Sequence, residues 1–227
     1  MALRDEIREE QRKVKDLPLS ERIDYYWDYY KIPALIALAI IILAVIFIRD
    51  WVKNSRPAYL NAVLMNTVLT YDTDHDITQD YIDYAKVDTD TYNVSIDTSL
   101  QMSLERNDQL TMAAEQKLMA QFSTGTIDVI VAPEAIIEYY AGQGAFMPLT
   151  DVFTDAEIKK IEEAGYPVCY VTMNDETFPA GFYVYDSDYL KTLSSNGTFL
   201  KEDAPVFSIA SCMQHPEAVK QFLQMIM

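Results

Sequence analysis

From Ile32 to Ile48 the chain reads IPALIALAIIILAVIFI, seventeen positions with no charge, amide or hydroxyl. At a helical rise of about 1.5 Å per residue this run covers roughly 25 Å, against a hydrocarbon core of about 30 Å. It predicts a transmembrane helix over 32–52. Tyr25, Tyr26, Trp27, Tyr29 and Tyr30 before the run and Trp51 after it supply interfacial rings, and Lys31 and Arg49 are placed to snorkel. A cleaved signal peptide is disfavoured, since Arg49, Asp50, Trp51, Val52 and Lys53 offer no small-x-small cleavage pattern. Ahead of the span, Leu3, Ile7, Val14 and Leu17 have loose helical spacing and predict a short interfacial helix over 3–15. Ser20 reads as the cap of the helix that runs into the membrane, with Pro33 kinking it modestly at head-group depth.

Beyond a linker at 53–57 the period changes. Strand-like runs fall at 59–65, 92–96, 128–132, 168–173, 182–185 and 206–211, and helix-like runs at 78–85, 108–123, 134–141, 155–164 and 216–225. In the 108–123 helix, Leu110, Ala113, Ala114, Lys117, Leu118 and Phe122 mark the expected phase. Residues 174–179 read as a turn, and 186–205 as a helical turn and loop. Gly125, Gly142 and Gly165 stand where helices should stop. Strands alternating with helices predict crossover connections and a mostly parallel sheet, hence one α/β sandwich domain over 58–227.

Charge sets the orientation. Residues 1–31 carry seven Lys or Arg, against three in 49–56, so the N-terminal segment is expected in the cytoplasm and the large domain outside. Residues 57–227 hold eight basic and 26 acidic side chains, net −18 within a total of −17. Such a domain repels nucleic acid and anionic head groups, which leaves the membrane span, another surface protein or a small solute as expected partners. Cys169 and Cys212 fall on the outer side, where two separate buried thiols are the default and a bridge is the alternative.

Signatures of nucleotide, zinc and serine-hydrolase chemistry are absent, and no catalytic residue is assigned. The acidic stretch DTDHDITQDYID places Asp72, Asp74 and Asp76 at alternating positions, a pattern that suits a hard cation such as calcium. Yet Ile77 stands where a calcium loop needs glycine and Asp83 where a bidentate Glu is usual. An acidic loop capping a helix through Asp76 or Thr78 is therefore the preferred reading, with no cofactor required. His75 and His215 are too far apart in sequence to form a pair by spacing, and read as exposed or capping residues. Tyr139 and Tyr140 offer a stacking surface, unless one of them faces the core.

DVIVAPEAIIEYYAGQGAFMPLTDVF (128–153) and VFSIASCMQHPEAVKQFLQMI (206–226) resemble segments of extracellular solute-binding proteins with the type II periplasmic-binding fold: a strand with its helix and apolar loop, then the return strand with its helix. NAVLMN (61–66) would be the first strand. About twenty residues between Asp186 and Val206 leave no room for a second lobe, so the resemblance implies one lobe on a membrane stalk. Its expected role is a non-catalytic binding or interaction module. A solute receptor completed by a partner chain or second copy and serving a transporter is the alternative, and a tethered hydrolase a further one. Ligand sites of α/β sheets form at the carboxyl ends of strands, which points to Asn66, Thr67, Thr98, Ala132, Pro133 and Glu134.

Overall fold

The computed structural model describes residues 18–67, 76–106, 108–173, 176–192 and 204–227. The helix expected over 3–15 and two of the three proposed cation ligands, Asp72 and Asp74, lie outside the described residues, as does His75. The chain divides into two compact units, Met1–Ser55 and Arg56–Met227.

Helix α1 (Leu19–Asn54) is continuous for 36 residues and carries Pro33 without a break. Its N-cap is Pro18, not Ser20, with extended backbone and no side-chain cap. Proline fits there because its missing N–H falls among donors that an α-helix leaves unpaired at its start. Within α1, Lys31–Val52 is long and apolar enough to cross a membrane, and its side chains are exposed throughout.

The second unit is built on strands β1 (Ala58–Leu64), β2 (Asn93–Asp97), β3 (Val129–Pro133), β4 (Val168–Met173), β5 (Glu176–Tyr183) and β6 (Pro205–Ile209). They form one sheet in the order β2-β1-β3-β6-β5-β4. β1 pairs in parallel with β2 and β3, whereas the β3–β6, β6–β5 and β5–β4 pairs are antiparallel. The expectation of a mostly parallel sheet is therefore corrected to a mixed one. The first half has the helices that parallel crossovers need. In the second half a hairpin joins β4 to β5, and β6 enters between β3 and β5 against the direction of both.

β5 is also longer than the pattern implied, beginning at Glu176. Pro179 was expected to mark a turn, because proline cannot donate to a ladder. A register shift between Cys169 and Tyr170 accommodates it inside the sheet.

Helices α2 (Ile77–Ala85), α5 (Asp155–Glu163), α6 (Asp188–Thr192) and α7 (Pro216–Ile226) contribute to the core on one face of the sheet. Helices α3 (Gln109–Thr124) and α4 (Glu134–Ala141) contribute to the core on the other. Alternation along the strands assigns the faces: Leu60, Ala62 and Leu64 join the first core, Val63 and Met65 the second. In the first core the Tyr81 ring meets Phe222 edge-on at 5.5 Å, and its hydroxyl donates to the Ala218 carbonyl at 3.0 Å, joining α2 to α7. Burial raises the Tyr81 pKa well above its ordinary value.

Helix α3 begins at Asp108, whose side chain accepts from Thr111 N–H, and stops at Gly125 in the left-handed region. Its buried stripe is Thr111, Ala114 and Leu118 with Phe122 packed alongside, so the expected phase holds at Ala114, Leu118 and Phe122 and is corrected at Leu110, Ala113 and Lys117, which face solvent. Both cysteines are free thiols, and Cys212 is only half-buried.

Candidate functional site

β1, β2 and β3 run in the same direction, so their carboxyl ends share one edge of the sheet. The start of β6 and the end of β5 lie on that edge too, through the pairs Pro133 with Pro205 and Tyr183 with Val206. All six residues expected to face a ligand fall there, in two groups.

Asn66, Thr67 and Thr98 are drawn together. Asn66 adopts a positive φ of 57°, which its side chain tolerates better than most. Its Nδ2 donates to the Met102 carbonyl at 2.8 Å and its Oδ1 accepts from Met102 N–H at 2.7 Å. Thr67 Oγ1 donates to the Thr98 carbonyl at 2.8 Å, and Gln101 Nε2 to the Thr67 carbonyl at 3.2 Å. These side chains staple the 98–103 segment to the end of β1. Next to the staple opens a cleft of about 290 Å³, lined by Asn66, Gln101, Ser103, Arg106, Asp108 and Thr111, with Met102 and Leu110. Asp108 is held below the usual carboxylate range, chiefly by the Thr111 N–H bond.

At the other group Ala132 and Pro133 are buried, so their role is to end β3 and start α4. Glu134 accepts from the Tyr183 hydroxyl at 2.5 Å, a charge-assisted bond across the sheet edge. Burial, then this bond, raises the Tyr183 pKa, and burial raises that of neighbouring Cys169. Both stay protonated near neutrality, which makes Cys169 a poor nucleophile. Tyr140 faces the core, and its hydroxyl meets Met102 Sδ at 3.8 Å, while Tyr139 is exposed.

The opposite edge carries a hub that sequence reasoning did not find. Asp128 is buried, and its carboxylate accepts from Asn61 N–H at 2.9 Å and Gln214 N–H at 3.0 Å. His215 Nδ1 lies 3.1 Å from both of its oxygens. His215 is thus positioned by a partner 87 residues away, which spacing could not reveal.

Asp76 caps α2 by accepting from Thr78 N–H at 2.9 Å. Among the described residues no group of three or more His, Cys, Asp or Glu side chains is arranged to hold a metal ion.

A second cavity, of about 250 Å³, lies between α5 and α7 over Phe153, Ile161 and Leu223. Lys220 donates to Glu157 Oε1 at 2.8 Å above the Phe153 ring, while Glu157 Oε2 completes a capping box with Thr154. The Lys220 bond, then the Thr154 bonds, hold the Glu157 pKa down to about 2. A depressed carboxylate stabilises the fold above its unfolded value near 4.5 and loses that contribution as pH falls toward 2. Glu157→Gln is expected to lower the urea midpoint at pH 7, with the deficit shrinking between pH 4.5 and pH 2. A deficit independent of pH would refute the assignment.

No protein-family model, curated protein or solved structure matches this chain.

Proposed function

We propose that the chain is a single-pass membrane protein of the cell membrane, N-terminus inside, whose outer α/β domain is a non-catalytic binding module resembling one lobe of a solute-binding protein. The observation that carries this reading is the 290 Å³ cleft at the carboxyl ends of β1 and β2, where open α/β sheets take ligands. Two features support it. The exposed apolar side chains of Lys31–Val52 are suited to lipid and unfavourable in water. Strand β6 lies antiparallel beside β3 and leads into the α7 helix at Pro216, as a return strand would.

The test uses the full chain in lipid nanodiscs, with hydrogen exchange followed during a screen of small polar solutes. Binding is expected to slow exchange in 64–67 and 98–111. Protection confined to another region, or no protection alongside capture of a stable protein partner, would reject the cleft as the ligand site. Orientation is checked separately by protease: intact cells should lose the portion beyond Arg56.

A further inference from the structure

Arg106 is the only arginine beyond Arg56, in a stretch where acidic residues outnumber basic ones 26 to eight. With so many carboxylates available, an arginine is expected to find one. Arg106 instead lines the cleft and makes no ion pair with any described carboxylate within 4 Å. Glu105, adjacent in sequence and exposed like Arg106 itself, makes no such pair, and Asp108, though Arg106 helps to lower its pKa, is committed to the first turn of α3 through Thr111 N–H at 2.9 Å.

The other polar groups of the cleft sort into used and unused. Asn66 spends both ends of its amide on Met102, and Thr111 Oγ1 accepts from Ser103 N–H at 3.1 Å. The Ser103 hydroxyl has no partner among the described residues, and Gln101 uses one amide proton on the Thr67 carbonyl, leaving the second. A planar guanidinium, a hydroxyl and an amide proton therefore border one cavity. A guanidinium fork matches a carboxylate through two parallel N–H···O bonds, which an ammonium cannot reproduce.

We propose that this cleft binds a small polar monocarboxylate, with Arg106 taking the carboxylate and Ser103 and Gln101 donating to it or to the polar body behind it. Charge selects a monoanion. Among the lining residues Arg106 and Asp108 balance, and Glu105 beside the guanidinium adds a further negative charge, so there is room for one ligand charge and no more. The second charge of a phosphate dianion would face Asp108 and the −18 domain with no second cation. Size selects a small body, since 290 Å³ holds roughly ten water-sized groups.

This inference rests on the cleft being a ligand site, and the experiment separates the two. Full-length protein in nanodiscs, methyl-labelled at methionine, is titrated with N-acetylglycine, with its neutral amide N-acetylglycinamide, and with inorganic phosphate, following the Met102 methyl that lines the cleft. The acid is expected to shift Met102 saturably and to bind at least tenfold more tightly than the amide or phosphate. Arg106→Gln should weaken the acid at least tenfold and leave the amide unchanged, with Arg106→Lys falling between. Lys159→Gln changes net charge by the same amount at an exposed site on α5 and should leave acid binding as in the parent. If acid and amide bind equally and Arg106→Gln binds like the parent, the carboxylate assignment is overturned and the cleft survives as a site. Tighter binding of phosphate overturns the monoanion, and Met102 unmoved by every probe overturns both readings. Retained shifts of the other methionine methyls show that each variant is folded.

Discussion

Replacing Asp128 by alanine is expected to destabilise the α/β domain by about 3–5 kcal/mol. The carboxylate is buried and joins three segments at the amino end of β3: Asn61 in β1 and Gln214 and His215 before α7. Removing it takes the acceptor from two part-buried backbone N–H groups, Asn61 and Gln214, bonds to a carboxylate worth about 1.5–3 kcal/mol each. Against a typical net stability of about 5–15 kcal/mol, this is a large share. For a domain of this size the melting temperature should fall by about 10 °C. His215→Ala is the informative comparison. Its side chain is 32% exposed and its loss leaves both backbone donors satisfied, so the cost should stay near 1 kcal/mol. Both tryptophans, Trp27 and Trp51, lie in α1, so near-ultraviolet signals from the domain's tyrosines are the clean probe of its unfolding. Equal losses in the two variants would place the stabilisation in the imidazole–carboxylate pair rather than in the backbone bonds.

Gly181→Ala is expected to cost about 3 kcal/mol, for a different reason. Gly181 sits opposite Ser208 in the β5–β6 pairing. A Cβ there would lie 2.3 Å from the Phe207 carbonyl oxygen, 2.6 Å from Ser208 Oγ and 2.7 Å from Val206 Cγ1. The side-chain atoms have some freedom, but the carbonyl belongs to a strand with all five residues buried and cannot retreat without moving the sheet. Ser208→Ala runs the other way. Its Oγ is buried without a hydrogen-bond partner among the described residues, so removing it should be neutral or slightly stabilising. In the Gly181→Ala background it should recover only part of the loss, because the Phe207 contact remains. Denaturant midpoints of the single and double variants check this, and full recovery would show that the serine rather than the backbone was the obstacle.

The positions at which expectation and structure part have a common cause. Helix α3 is expected over 108–123 with Gly125 as its stop, and it runs Gln109–Thr124 between an Asp108 cap and Gly125, because helix ends are set by local chemistry. Ala114, Leu118 and Phe122 lie on its buried side as expected, whereas Leu110, Ala113 and Lys117 do not, and Leu110 is apolar yet exposed at the rim of the cleft. Pro179 reads as a turn because proline is disfavoured inside a sheet; it is held in β5 beside Ala180, which the register skips between the Cys169–Gly181 and Tyr170–Pro179 pairs. The six residues expected at the carboxyl edge do lie there, but Asn66 and Thr67 are absorbed in holding the 98–103 segment. The cleft beside them is completed by Arg106, Ser103 and Asp108, which follow β2. One sequence signal did point to that group: the sole arginine of a strongly acidic stretch.

By itself the sequence determined the long apolar helix, the order of strands and helices, and the acidity of the domain that follows it. Each follows from residue composition within a window of one element or less: a hydrophobic run, a period, a cap, a count of charges. Only the tertiary structure decided that β6 enters the sheet antiparallel between β3 and β5, that Asp128 gathers Asn61, Gln214 and His215, and that a cleft opens beside Arg106. Those features depend on contacts between residues tens of positions apart, whose geometry is set by how the layers pack and leaves no periodic mark along the chain.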